Sequence, residues 1–384
     1  AIRLCEFMAF ARPCVAFSTS RLQLSTFAVG PRAATFVVGP GQFASRGVGS
    51  TKPRPPSSTF FRHWRRPMAN SAEEGAQSQE LVEAGSGGGL KAFASGAVVT
   101  LLVAGIVVGL TLGLGLHWRY AALAAGIQWW FFLVHGWPCR SEKFYDASGS
   151  LTHVALVLAA LTSDSIRPAR PLVLSVMATI WCTRLGTFLF NRIARDQKDD
   201  RFTALKKNFW SFSIAWNLQV LWVFILELPI ILANVTPNQA NVGPLDVVGW
   251  TMWVVGFLVE SVADAEKFSF RSSPSNHGRF ITSGLWRYSR HPNYFGEILM
   301  WLGICTSCSS CLSGWGWLAW LSPVLNAFLL LCVSGVPLLE KAGLKKWGSE
   351  PAYMHYMQNT SCIVPWCPAK PFPNSSDSEG SGSP

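Results

Sequence analysis

Residues 209–233 read FWSFSIAWNLQVLWVFILELPIILA, and Glu227 is the one ionisable side chain in the stretch. A membrane-spanning helix needs about 20 mostly apolar residues, and this segment meets that length with aromatic residues at both of its halves. Further stretches of the same kind are 92–116, 119–136, 171–190, 244–266 and 316–338, with a shorter one at 151–163. Residues 294–308 form another short apolar run, expected to pair with 316–338. The pattern predicts an all-α, polytopic membrane bundle of about six to eight segments.

The composition agrees. Charged residues make up 14% of the 384-residue chain and there are 18 Trp, where soluble domains carry about 25% charged residues. Tryptophan suits the two water–lipid interfaces. The net charge of +11 is concentrated at the start, because residues 1–70 hold ten Lys/Arg against the single acid Glu6. That is +9, leaving +2 for the other 314 residues. A basic excess confined to a leader does not mark a nucleic-acid-binding surface, and no nucleic-acid partner is expected. The ten cysteines are scattered, several in apolar segments, with no secreted disulfide framework.

Residues 1–70 are rich in Arg, Ser, Ala and Phe and almost free of acids. They read as an organelle transit peptide, plastid ahead of mitochondrion, or as an untranslated or disordered leader with Met8 or Met68 as the start. Residues 71–90 read as a flexible linker, 91–366 as the membrane domain and 367–384 as a disordered tail. The basic segments 191–208, 267–291 and 341–346 alternate with loops free of Lys and Arg at 234–243 and 309–315. They are expected on one side, the cytosol or an organelle's stroma; the endoplasmic reticulum is the other location considered.

Three polar clusters stand out in the C-terminal half. Glu260, Asp264, Lys267 and Arg271 are spaced by four, three and four residues, which puts them on one helical face. Ionisable groups on a face that begins inside a membrane segment default to function. The connector SSPSNHGRF brings Asn276, His277 and Arg279. In GLWRYSRHPNYFGE (284–297), Pro292 disfavours helix at His291 and suits the first turn of a new one. The free N–H groups there would face whatever sits by Arg287 and Arg290. Asn293 and Glu297 lie one turn apart on that helix, and Gly296 between them permits close approach of a backbone or ligand. The three clusters suit a polyanionic ligand that also carries amide- and ribose-like groups.

Five blocks, WCTRLGTFLFNRIARDQKDDRF (181–202), ADAEKFSFR (263–271), NHGRFITSGLWRYSRHPNYFGE (276–297), SGVPLLEK (334–341) and YMHYMQNTSCIVP (353–365), resemble the steroid 5-alpha-reductase-like membrane family, in its largely uncharacterised branch. The resemblance covers roughly residues 140–365. It implies a helical bundle that holds NADPH in a pocket formed by the C-terminal helices and passes hydride to a carbon–carbon double bond of a steroid-like or isoprenoid lipid taken from the bilayer. It also implies cofactor contacts from Asp264, Arg271, Arg279, Asn293 and Glu297; Arg290 and His291, where the characterised reductases have a Gly-Ala-type segment, are expected to bind cofactor from their place in the same polar stretch. The RHPNYFG core is also similar to isoprenylcysteine carboxyl and phospholipid methyltransferases, which bind S-adenosylmethionine. Against that rival, five cations suit several phosphates better than one amino-acid carboxylate. A non-enzymatic lipid-binding protein is the third reading.

Tyr145, just before an apolar segment, is the candidate catalytic acid, the alternative being an interfacial anchor. Cys305, Cys308 and Cys311 in CTSCSSC are spaced like half a metal site but lack a fourth ligand, so they read as small residues at a helix turn and no metal centre is expected. Asn234-Val-Thr236 is a glycosylation pattern that matters only on a lumenal loop.

Overall fold

The structure is a computed structural model that describes residues 71–162, 168–196, 199–237, 239 and 241–368. The leader reading for 1–70 and most of the tail lie outside these residues. Among the described residues the chain divides into two units at Ala84–Gly85. In the first, residues 71–84 are helical.

The described residues form helices and no strands: α1 (Ser71–Gly113), α2 (Arg119–Phe131), α3 (Tyr145–Leu161), α4 (Ala169–Asp196), α5 (Phe209–Val235), α6 (Pro244–Ser272), α7 (Pro292–Cys308), α8 (Leu321–Phe328), α9 (Val336–Trp347) and α10 (Pro351–Asn359). The 71–90 stretch, expected to be a linker, is helical instead. Its Ala, Glu, Gln and Leu are strong helix formers and offset the cost of its glycines.

Five segments, Gly89–Gly113, Ala169–Asn191, Phe209–Val235, Pro244–Ser272 and Gly314–Trp347, are long and apolar enough to cross a membrane, which fits a multi-pass integral membrane protein. Of the short 151–163 segment, residues 151–161 lie in α3. The outward face of α6 carries Leu245, Val248, Val255, Leu258 and Val262, all exposed. An apolar stripe of that length facing out marks a surface made for lipid.

The opening stretch of sequence is the hub. In α5, 78% of the apolar window is buried, against 22–39% in the other four segments. Asn208 caps it, its side-chain oxygen accepting from the N–H groups of Trp210 and Ser211 at 2.9 and 3.3 Å. One side of α5 packs with α1, α2 and α3 through Val103, Tyr120, Leu156 and Phe224. Another meets α4, α6 and α7 through Leu226, Trp181, Trp253 and Trp301.

The expected pairing of 294–308 with 316–338 is only a minor contact. α7 runs antiparallel along α6, with Gly249 facing Gly303 and Gly256 facing Gly296. Glycines seven residues apart on both helices let the backbones approach with no side chains between them. Gly296 therefore serves a helix–helix contact, the first of the two uses its smallness allows. At the far end of this pair, Arg170 of α4 locks the assembly. Its Nε and Nη2 donate to Asp246 Oδ1 and Oδ2 at 2.7 and 2.8 Å, and Ser307 donates to the same carboxylate at 2.6 Å.

Candidate functional site

At the opposite end, α6 delivers its ladder of ionisable side chains. Arg184 on α4 gathers the inner rungs. Its Nη2 donates to Glu260 Oε1 at 2.5 Å and to Asp264 Oδ2 at 3.1 Å. Asn293, in the first turn of α7, donates from Nδ2 to Asp264 Oδ1 at 3.2 Å. Glu297, one turn further on, is buried beside Asn326 and within electrostatic reach of Asp264. Asn293 Oδ1 and Glu260 Oε2 are buried and without a hydrogen-bond partner. Buried acceptors left unmade are costly and call for an explanation.

The outer rungs line a groove. A cavity of about 120 Å³ is bounded by Lys267, Arg271, Arg279, Arg290, His291, Glu340 and aromatic side chains that include Trp286, Tyr353 and Tyr356. Arg271 and Arg279 are exposed. Lys267 Nζ sits 4.3 Å from the centre of the Trp286 ring.

The 273–291 connector is fastened onto α6 by side-chain hydrogen bonds, among them Asn276 Nδ2 donating to Phe270 O at 3.1 Å. Glu266 Oε2 accepts the Leu285 N–H at 2.9 Å, and Trp286 Nε1 donates to Ala263 O at 3.0 Å. Gly284 sits at φ +61°, with the Glu266 carboxylate where a Cβ would go, so only glycine fits this turn. The chain then passes His291 and enters α7 at Pro292, as its sequence implies.

The C-terminal segment supplies the other wall. Arg290 N–H donates to Ser361 O at 2.8 Å, Ser289 Oγ to Ile363 O at 2.7 Å, and Trp366 N–H to Tyr288 O at 3.1 Å. The Arg290 guanidinium is bound into this frame: Nη1 donates to Met357 O at 2.8 Å and Nη2 lies 3.3 Å from Glu340. Burial holds the His291 imidazole below its usual range, although Glu340 beside it pulls the other way.

Asp264, Asn293 and Glu297 thus come together, and Arg271, Arg279, Arg290 and His291 line the adjoining groove. Arg287 is exposed and is not part of the lining. Tyr145 belongs to neither group. Its hydroxyl donates to Ala215 O at 3.0 Å, and its ring packs with Phe202 and Trp216. The candidate acid is engaged by backbone because the start of α3 faces α5 and not the connector.

Sequence reasoning missed Arg184 and Glu340 as site residues. Both lie inside quoted blocks, WCTR and PLLEK, so block membership was the available signal. It also left Glu227 unexplained: Glu227 Oε1 lies 2.8 Å from His153 Nδ1, with both residues buried among Trp181, Trp222 and Leu226.

The cysteine run is used as small polar filler. Cys305 and Cys308 donate to the carbonyls of Ala319 and Pro229 at 3.4 and 3.1 Å. Asn234 is buried, with Nδ2 donating to Ser175 Oγ and Ile230 O, so this glycosylation pattern is not presented as a surface acceptor.

Residues 131–360 match the model of a family described as "Protein of unknown function (DUF1295)". An uncharacterised protein of Schizosaccharomyces pombe, C594.04c, is 25% identical over 232 residues, which cover 52% of this chain and 65% of that relative. No solved structure matches.

Proposed function

The chain belongs to the family so described, one of steroid 5-alpha-reductase-like membrane proteins, and from that premise we propose that it is a membrane-embedded, NADPH-dependent reductase of a carbon–carbon double bond in a steroid-like or isoprenoid lipid. The observation that carries this reading is the juxtaposition of a groove lined by Lys267, Arg271 and Arg279 with the Asp264–Asn293–Glu297 cluster. Clustered cations with solvent access suit the phosphates of a dinucleotide. The unmade acceptors Asn293 Oδ1 and Glu260 Oε2 suit the N–H donors of a carboxamide.

NADPH, when bound, supplies the hydride. The chain's own work is to hold and orient. Arg184 fixes Glu260 and Asp264 against α4, and Asp264 in turn orients the Asn293 amide. The cavity measures about 120 Å³. Arg271 and Arg279 in its lining would hold a phosphate of the cofactor there. The apolar outer faces of the bundle would admit a lipophilic substrate from the bilayer.

The test is ligand binding by purified protein in detergent, comparing NADPH with S-adenosylmethionine and using Arg279→Ala as the control. Saturable NADPH binding that weakens in the variant is the expected result. Saturable S-adenosylmethionine binding without NADPH binding would overturn the proposal in favour of a methyltransferase. Binding of neither would favour a lipid-binding protein.

A further inference from the structure

Glu340 Oε1 is approached by three side chains and holds none of them closely. Arg290 Nη2 and His291 Nε2 both lie at 3.3 Å, and Cys362 Sγ at 3.9 Å. A charge-assisted N–H···O bond is normally about 2.7–2.9 Å, so these contacts are all long. The ligand atoms of His291, Glu340 and Cys362 lie within 4.8 Å of one another.

Their separations have a simpler meaning than stretched hydrogen bonds. Zinc binds nitrogen and oxygen at about 2.0–2.1 Å and sulfur at about 2.3 Å, in a tetrahedron. Tetrahedral angles then give N···O and S···O edges of about 3.4 and about 3.6 Å. The observed 3.3 and 3.9 Å match these to within a few tenths of an ångström; the third edge, His291 to Cys362, lies within 4.8 Å against about 3.6 Å in the tetrahedron, so a bound ion would draw these two donors together.

The three groups also come from separate parts of the chain, and two of those parts are already cross-linked. His291 N–H donates to Ser289 Oγ at 3.1 Å, Ser289 Oγ donates to Ile363 O, and Arg290 N–H donates to Ser361 O. These bonds fix residues 289–291 against 361–363, while Glu340 is carried in on α9. Within the imidazole, Nδ1 is buried without a partner, so Nε2 is the ring atom turned to the cluster.

We propose that His291 Nε2, Glu340 Oε1 and Cys362 Sγ form a binding site for one divalent transition-metal ion of the zinc class. One nitrogen, one oxygen and one sulfur donor favour zinc over magnesium or calcium, which take oxygen ligands. Three protein ligands leave a fourth position open. His291 and Glu340 line the groove and Cys362 does not, so that position faces the groove. A water or an anionic oxygen of a ligand would occupy it. The proposal does not depend on the reductase reading.

The test uses the full chain in detergent, stripped of metal with a chelator and titrated with Co²⁺. Expected is one equivalent bound, with tetrahedral cobalt bands in the visible and a thiolate-to-cobalt charge-transfer band in the near ultraviolet, both bleached by Zn²⁺. Cys362→Ser should abolish the charge-transfer band, Cys311→Ser should retain it, and Glu340→Gln should weaken Co²⁺ binding by about tenfold or more. Cys362→Ser is close to isosteric and keeps the test decisive even if Glu340→Gln misfolds. No charge-transfer band in the parent chain, or a band that persists in Cys362→Ser, overturns the proposal. NADPH binding is measured separately on the same preparations, so failure of the metal site and failure of the cofactor reading are told apart.

Discussion

Gly256 and Gly296 lie back to back across the α6–α7 interface, so close that a methyl group on either would come within 2.5 Å of the other's carbonyl oxygen. The contact seats the first two turns of α7, with Asn293 and Glu297, against the turn of α6 that carries Glu260. Helix packing and site assembly are therefore one event.

Gly296→Ala is expected to push the two helices apart and to cost roughly 1–3 kcal/mol, as overpacking does. Gly105→Ala on α1, where a Cβ would meet nothing within 4 Å, is the matched control. Thermal unfolding in detergent reads both. Equal midpoints for the two variants would show that the close approach contributes nothing.

Arg170 and Asp246 are 1% and 0% exposed. Removing one partner of a buried pair leaves an uncompensated charge, which costs roughly 3–5 kcal/mol. Arg170→Ala should therefore lose most of the folded yield. Arg170→Lys should fall between it and the parent, because it keeps the charge but not the two-pronged contact. A lysine variant no better than alanine would argue that the fork, and not the charge, is what matters.

Glu142 lies outside the spanning segments. Burial alone would raise its pKa, but the Lys206 ammonium and the Asp199 N–H, which donates to it at 2.7 Å, together hold it below 4.5. The unfolded chain then binds the extra proton first, so this contribution is complete above about pH 4.5 and is lost as the pH falls through the folded value. Parent and Glu142→Gln unfolding curves should differ at pH 7 and converge on acidification. A gap independent of pH would contradict the assignment.

The buried pair His153 and Glu227 should be energetically coupled. Each single replacement, His153→Phe or Glu227→Leu, strands the other polar group, whereas the double replacement strands neither. A double-mutant cycle on unfolding free energy is expected to return a coupling of roughly 1–3 kcal/mol. Additive singles would mean that the two side chains do not depend on each other.

On the proposed function, Glu297→Gln should weaken NADPH binding, and Arg279→Ala should weaken it by about tenfold, the loss of one charge-assisted contact. The Arg279 effect should shrink as salt is added, because that side chain is exposed. Unchanged affinity in Glu297→Gln would remove that residue from the site.

Five of the six long spans expected (119–136 is the exception), the start of α7 at Pro292 and the shared face of Glu260, Asp264, Lys267 and Arg271 were legible in the sequence because each is local. A run of apolar residues, a proline at the first helical turn and a spacing of three and four are properties of neighbours along one chain segment. The partners of those faces were not legible. Arg184 reaches Glu260 across 76 residues and Asp264 across 80, and no pattern within either segment encodes the other. The pairing of α6 with α7 rests on glycines, which contribute no side chain from which to read a partner. Tyr145 shows the same limit. Its position at a helix start was visible, but the carbonyl that accepts its hydroxyl proton, Ala215, lies 70 residues away. Sequence thus determined which residues would be helical, apolar or ionisable. Tertiary structure decided which of the ionisable ones meet, because that depends on how close separate backbones are able to pack.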